Sequence, residues 1–118
     1  MKRIAEGLSC STKKEAEGEL CFIESVDDVI KLFDNAEGKI SIVEDSGTTT
    51  LGPILADLAG VLCTTGSEGS HLAIVSREFG IPCIMSLNLD KEQIKKLNGA
   101  RVKIVTEENN KGVLYLLD

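Results

Sequence analysis

Short segments rich in β-branched residues alternate with helical patterns through the middle of this chain, and this order constrains its fold more than any other feature. Strands are predicted at Lys39–Val43, Gly60–Cys63 and Cys83–Ser86, with helices over Leu51–Leu58 and Ser70–Phe79 between them. Consecutive strands joined by a helix need a crossover connection, which favours parallel pairing within one sheet. The sequence therefore predicts an α/β fold built around a central β-α-β-α-β unit.

Further elements flank this unit on both sides. The additional predictions are strands at Glu19–Ile23, Arg101–Thr106 and Gly112–Leu117, a helix that begins near Ser25, and a short charged helix over Lys91–Leu97. The residues Asn109 to Gly112 have the composition of a hairpin turn between the last two strands. We therefore expect a mixed sheet with flanking helices, in which the outer strands pair antiparallel.

The size and composition of the chain indicate one folding unit over residues 1–118. Apolar residues make up 42% of the 118 residues and aromatic residues only 3%, so Val, Ile, Leu and Ala must form most of the core. Such a core suits a sheet covered by helices. No internal repeat or low-complexity segment divides the chain.

The charge of the chain argues against two classes of partner. Its formal net charge is −6, and no cluster of Lys and Arg offsets this acidity, so nucleic acids and anionic membranes are disfavoured as partners. No apolar run reaches the length of a membrane span, and the N-terminal residues lack the apolar stretch of a signal peptide. We therefore expect a cytoplasmic protein.

Four cysteines stand at positions 10, 21, 63 and 83, and none of them forms a C-x-x-C pair. The single histidine cannot complete an ordinary zinc site with cysteines at this spacing. In a reducing compartment we expect four thiols, most of them packed as small hydrophobic groups, and no metal bound by this chain.

The segment from Gly60 to Glu78 contains the residues best suited to chemistry. An apolar strand leads into a loop with two glycines and four hydroxyl groups, and the only histidine follows in the first turn of a helix. The hydroxyl groups belong to Thr64, Thr65, Ser67 and Ser70, and the glycines are Gly66 and Gly69.

Such a loop can bind an anion, because the free backbone N–H groups and the dipole of a helix N-terminus favour negative charge. Glycines allow the backbone to approach a bound group, and hydroxyl groups can donate to phosphate oxygens. The same field disfavours an imidazolium, so His71 is expected to stay neutral and nucleophilic near pH 7. His71 is thus a candidate catalytic residue that attacks a phosphoryl group.

Structural explanations compete with this prediction. Loops with Gly and Ser between a strand and a helix are common, and a histidine at a helix start can be a cap or a solvated side chain. The loop also lacks the G-x-x-x-x-G-K-[ST] sequence of a Walker A motif. Arg77 lies nearly two helical turns beyond His71, so a structural ion pair is expected for it more than a phosphate contact.

The residues from Gly66 to Pro82 resemble the phosphohistidine signature of the mobile domain of phosphoenolpyruvate (PEP)-utilising enzymes, G-G-x-[ST]-S-H-x-A-I-[VI]-A-R-E-x-G-I-P. This family includes pyruvate phosphate dikinase, PEP synthase and enzyme I of the bacterial sugar phosphotransferase system. The likeness extends from Gly7 to Leu117. It implies a swivelling β/β/α domain that carries a phosphoryl group on a histidine between a nucleotide site and a PEP or pyruvate site.

The resemblance assigns roles to individual residues of the loop. His71 corresponds to the phosphorylated histidine, Gly66 to the first loop glycine and Ser70 to the residue before the histidine. Ser67 and Gly69 depart from the family pattern, where a second glycine and a Ser or Thr are usual. With Thr64 and Thr65, the residues Gly66, Ser67, Gly69 and Ser70 form the predicted phosphate-binding set.

Family members hold the nucleotide in an ATP-grasp pair of domains and PEP in a TIM barrel, and 118 residues have room for neither. The resemblance therefore implies ATP-grasp-type or PEP-binding partner chains, with Mg²⁺ bound there together with ATP or PEP. Two functions remain open. The first is a phosphoryl-carrier subunit, and the second is a non-catalytic regulatory or interaction module that keeps the fold.

Overall fold

A computed structural model describes residues 2–10, 15–24, 26–32, 34–44, 57–65, 71–107 and 110–117, with only the backbone described at positions 26, 71 and 72. The strands in these ranges are β1 (Lys2–Ser9), β2 (Glu15–Phe22), β3 (Lys39–Val43), β4 (Gly60–Cys63), β5 (Cys83–Met85), β6 (Arg101–Glu107) and β7 (Lys111–Leu116). The helices are α1 (Val26–Lys31), α2 (His71–Phe79) and α3 (Lys91–Leu97).

The seven strands form one mixed sheet that closes into a barrel in the order β1-β5-β4-β3-β2-β6-β7, with β7 paired to β1. Strands β2, β3, β4 and β5 run parallel to their neighbours in this group. The pairs β1–β5, β1–β7, β2–β6 and β6–β7 are antiparallel. The predicted parallel unit and the C-terminal hairpin are therefore confirmed, and the chain is a mixed α/β fold.

One pairing differs from the sequence-based expectation. The outer strand β2 was expected to pair antiparallel, but it pairs parallel with β3 from Glu19↔Lys39 to Phe22↔Ile42. The prediction was wrong there because α1 connects β2 to β3 and makes them one more β-α-β crossover. The antiparallel expectation holds for the other edge of β2, which pairs with β6.

The element bounds agree closely with the sequence patterns in most places. Strands β3 and β4 and helix α3 have the predicted limits. Strand β1 was not predicted from its periodicity, because only Ala5 and Ser9 of its residues are buried. Most of the helix predicted over Leu51–Leu58 lies outside the described residues, although Leu58 is buried.

In the described ranges, two hydrophobic cores lie on opposite faces of the parallel strands. The core inside the barrel includes Leu20, Ile40, Leu62 and Ile104, and α3 adds the fully buried Ile94 to it. The second core lies between the outer face of these strands and helices α1 and α2. Both strands supply both cores: β3 contributes Ile40 and Ile42 to the first and Val43 to the second, and β4 alternates between them, which explains why the two strands are mostly apolar.

Helix α3 is fixed at its N-terminus by a capping box. The Asp90 carboxylate accepts a hydrogen bond from the Gln93 backbone N–H at 2.9 Å, and the Gln93 side chain accepts one from the Asp90 N–H at 3.1 Å. At the other end, Asn98 Oδ1 accepts a hydrogen bond from the Phe22 N–H at 3.0 Å. These bonds hold α3 close to the end of β2. In the part of the chain that the structure describes, every helix is too short or too polar to cross a membrane.

All four cysteines are thiols, and Cys10, Cys63 and Cys83 belong to the core between the sheet and the helices. This confirms that most of the thiols pack as small hydrophobic groups. Burial, together with the neighbouring Cys10 and Cys63, raises the pKa of the Cys83 thiol to about 12. Cys83 is therefore a structural residue and not a nucleophile near neutral pH.

The raised pKa of Cys83 predicts a specific loss of stability in alkali. Between pH 9 and pH 12 the thiol ionises in the unfolded chain but stays protonated in the folded one, so the unfolded state gains free energy. The free energy of unfolding should fall by about 1.4 kcal/mol per pH unit from this group. Urea unfolding of the wild type and Cys83→Ala at pH 8, 9.5 and 10.5 measures the difference. Equal pH slopes for the two proteins would contradict the prediction.

Candidate functional site

The candidate site lies where β4 connects to α2. Strand β4 is fully buried between β3 and β5, and α2 begins at His71. This connection leaves the carboxyl end of a parallel strand, which is where α/β sheets usually bind ligands. The first N–H groups of α2 have no partner within the helix, and its first turn contains no Asp or Glu to neutralise the dipole. The backbone of His71 is thus in a position that favours an anion.

Thr64 and Thr65 directly follow β4, and their hydroxyl groups have the same acceptor. Thr64 Oγ1 donates to the Glu44 carbonyl oxygen at 3.2 Å, and Thr65 Oγ1 donates to the same oxygen at 2.9 Å. Because Glu44 follows β3, these two bonds join the carboxyl ends of β3 and β4. A phosphate oxygen that bound either hydroxyl as an acceptor would compete with this carbonyl for the proton.

The end of β5 is also tied to this connection. The Leu87 N–H donates to the Cys63 carbonyl at 2.9 Å, and the Ser86 N–H donates to the Thr65 carbonyl at 3.4 Å. Ser86 adopts a φ of 53°, in the left-handed region that side-chain-bearing residues rarely occupy. Three neighbouring strands therefore fix the start of the loop that leads to His71, and Ser86 carries backbone strain beside it.

Helix α2 is held against the sheet along its length. Ala73 and Ser76 are fully buried, and the Ile81 N–H donates to the Ser76 carbonyl at 3.0 Å near the helix end. Arg77 Nε donates to the Cys10 carbonyl at 3.1 Å, which ties α2 to the end of β1. The ion pair predicted for Arg77 is not found among the described residues, and its structural contact is a hydrogen bond to a backbone carbonyl.

The structure brings together only part of the predicted site. It shows that the backbone of His71 and the whole of Thr64 and Thr65 lie on one strand-to-helix connection. Gly66, Ser67, Gly69 and Ser70 lie outside the described residues, so their roles stay predictions. Sequence reasoning missed Glu44 and Ser86, since a backbone carbonyl and a strained φ angle have no side-chain signal. In the described ranges no three His, Cys, Asp or Glu residues cluster as metal ligands would.

Comparison with known proteins defines the class of domain to which this site belongs. Residues 35–108, which include β3, β4, α2 and β5, match the family described as PEP-utilising enzyme, mobile domain. The chain therefore belongs to the PEP-utilising enzyme mobile domain family, as its signature indicated.

The individual relatives that this chain resembles share one name within the family. PEP synthase from Pyrococcus furiosus is 33% identical over 93 residues, which cover 74% of this chain and 11% of the relative. PEP synthase from Aquifex aeolicus is 32% identical over 79 residues, covering 67% of this chain and 9% of the relative. This chain thus spans about a tenth of the length of the curated relatives it matches.

A solved structure shares the fold without close sequence similarity. The muramoyltetrapeptide carboxypeptidase from Oxalobacter formigenes superposes with a TM-score of 0.55 at 15% identity, over 100% of this chain and 51% of that one. At this level of identity the likeness concerns the fold alone.

Proposed function

We propose that this chain is a phosphoryl carrier that forms a phosphohistidine at His71. The observation that supports the proposal most is the position of His71, the only histidine, at the first residue of α2 after the buried strand β4. In a member of the PEP-utilising mobile domain family, this is the histidine that the signature aligns with the phosphorylated residue.

The chemistry is a transfer of one phosphoryl group to nitrogen and then away from it. A ring nitrogen of neutral His71 attacks the phosphorus of a nucleotide or of PEP, a P–N bond forms, and the P–O bond to the leaving group breaks. The free N–H groups at the start of α2 stabilise the negative charge of the transferred group. In the second transfer an acceptor oxygen attacks the same phosphorus and the imidazole leaves. Mg²⁺ accompanies the nucleotide or PEP on the machinery that binds them.

The nucleotide-binding and PEP- or pyruvate-binding machinery lies outside these 118 residues in this proposal. We propose that it belongs to ATP-grasp-type and PEP-binding partners in the cytoplasm, and that the domain swivels between them. The relatives named PEP synthase, of which this chain spans about a tenth, support machinery of this kind. The loop connecting β4 to α2 must then be accessible to both partners in turn.

A second function is supported by the loop itself. Ser67 and Gly69 replace the residues usual in the signature, Glu68 adds a negative charge between them, and the hydroxyl protons of Thr64 and Thr65 are used by the Glu44 carbonyl. These observations favour a regulatory or interaction module that keeps the fold but binds no phosphoryl group. The two functions differ in a single measurable product, the phosphohistidine.

The test is to incubate the purified chain with cell extract of its own source and either ³²P-labelled ATP or ³²P-labelled PEP. We expect a label that is stable in alkali and lost in acid on the wild type, and none on His71→Ala. A PEP synthase mobile domain added to the same extract serves as the positive control. An unlabelled wild-type chain beside a labelled control would exclude the carrier function and favour the interaction module.

A further inference from the structure

A groove runs between the N-terminal half of β1 and helix α3, away from the residues that form the candidate site. It consists of a cavity of about 390 Å³ and an adjoining one of about 170 Å³, which share Arg3 and Ile4 in their walls. Besides these two, the larger cavity is lined by Lys2, Leu89, Gln93, Lys96 and Leu97, and the smaller by Ala5, Glu6 and Asn88. The larger volume is within the range of ordinary ligand-binding clefts.

One wall of the groove is an edge of β1 along which no strand of the described part of the chain is paired. Strand β1 pairs with β7 from Lys2 to Leu8, but it pairs with β5 only through Leu8 and Ser9. Next to this short pairing, Asn88 binds the edge of β1 at Glu6. The Asn88 side-chain oxygen accepts a hydrogen bond from the Glu6 N–H at 2.8 Å, and the Asn88 N–H donates one to the Glu6 carbonyl at 3.1 Å. Beyond it, the groove-side edge of residues 2–5 has no backbone partner among the described residues.

This edge also contains an irregularity. The pairing of β1 with β7 shifts by one residue between Arg3 and Ala5, so Ile4 is an extra residue with no partner in the β7 register. Bulges of this kind often terminate pairing or redirect a strand at a sheet edge. An unpaired strand edge presents N–H and C=O groups that can pair with another extended chain.

The groove is positively charged although the chain as a whole has a net charge of −6. Lys2 and Lys96 form no ion pair with any residue that the structure describes, whereas Arg3 is paired with Glu6 and lies 3.9 Å from Glu107. The same cavity that these two lysines line also has an apolar wall formed by the buried Leu89 and the half-buried Ile4 and Leu97. The surface is therefore complementary to a ligand that alternates acidic and apolar groups.

We propose that this groove binds an extended acidic segment of a partner protein, which adds a strand to the free edge of β1. In an added strand, successive side chains point to opposite faces, so apolar residues can contact Leu89 and Leu97 while acidic residues approach Lys2 and Lys96. A segment of about five residues spans the edge, since an extended chain rises about 3.3 Å per residue. The proposal concerns a surface other than the His71 connection and holds whether or not His71 carries phosphate.

The test is to select binders from a phage-displayed library of random decapeptides on the immobilised full chain. The affinity of the enriched peptides is then measured by fluorescence anisotropy. The double variant Lys2→Glu/Lys96→Glu reverses the groove charge. Lys31→Glu/Lys95→Glu is the matched control, because both residues are exposed, lie outside the groove and change the net charge equally.

We expect the enriched peptides to alternate Asp or Glu with Val, Ile or Leu, and to bind the groove variant at least tenfold more weakly than the control variant. Hydrogen exchange should slow when peptide binds at those amides of residues 2–5 that face the groove, and not at those that face β7. Absence of enriched acidic peptides, or an equal loss of affinity in both variants, would overturn the proposal. Displacement of the peptide by an equal concentration of inorganic phosphate would instead assign the groove to small anions and overturn it as well.

Discussion

Replacement of Gly18 by alanine is expected to lower the free energy of unfolding by about 3 kcal/mol or more, a large fraction of the stability of a small domain. Gly18 lies in β2, one residue before its parallel pairing with β3 begins. A Cβ atom at this position would lie 2.0 Å from the Gly38 carbonyl oxygen. The added Cβ is fixed rigidly to the β2 backbone and the atom that it meets is a backbone oxygen, so either the strand or the turn before β3 must move. The midpoint of urea unfolding measures the loss.

Two other glycines provide controls for this prediction. At Gly60 the nearest atom to an added Cβ is the Ile104 Cδ1 atom at 2.6 Å, which is the end of a flexible side chain and can shift. Gly38 has a φ of 79° and open space around its Cβ position, so alanine there costs only the left-handed conformation, about 1 kcal/mol. Gly18→Ala should therefore be the least stable of the three variants. A Gly18→Ala protein as stable as Gly38→Ala would contradict the close approach of β2 to the turn.

The parts of the fold that the sequence predicted well are those with a simple pattern of burial. Strands β3 and β4 supply side chains to both cores, so each is a short, mostly apolar segment, with the buried Ser41 as the polar exception in β3. Helix α3 has a capping box at Asp90, which marks its start in the sequence. These elements could be located residue for residue from local chemistry alone.

The elements that were missed depend on neighbours distant in the sequence. Strand β1 contains Lys2, Arg3 and Glu6, and it is a strand because β7 pairs with it along its length and β5 closes the barrel at its end. The parallel pairing of β2 follows from the position of α1, which the pattern of β2 itself does not encode. Tertiary pairing, and not intrinsic preference, determines both features.

The candidate site also has some features that the sequence predicts and others that depend on distant parts of the chain. The order of strand, loop and helix and the position of His71 at a helix start were predictable from the turn residues and the helical periodicity. The contacts of Thr64 and Thr65 were not, because their acceptor is the backbone carbonyl of a residue 20 positions away from Thr64. A hydroxyl group in a loop can donate equally well to a phosphate oxygen or to a carbonyl oxygen, so the residue type alone does not distinguish the two acceptors.

Replacement of both Thr64 and Thr65 by valine is the experiment that separates these roles. If the hydroxyl groups anchor the loop to Glu44, the unphosphorylated chain should lose about 1 kcal/mol of stability for each hydrogen bond removed. The rate of label incorporation at His71 should fall tenfold or more, on the order of the loss caused by small displacements of a reacting group. Thermal unfolding without any phosphoryl donor and the initial rate of labelling measure the two effects.

The serine variants Thr64→Ser and Thr65→Ser keep the hydroxyl groups and should retain both stability and labelling. A direct contact between the threonines and the phosphoryl group predicts a different result for the valine variant: slow labelling with unchanged stability, because no contact is lost before phosphate arrives. The geometry favours the combined loss, since both protons already have an acceptor that joins β3 to β4. In the proposed carrier, the phosphoryl group would then be bound by the N–H groups at the start of α2 and by the predicted donors of the loop, while the threonines join the ends of β3 and β4.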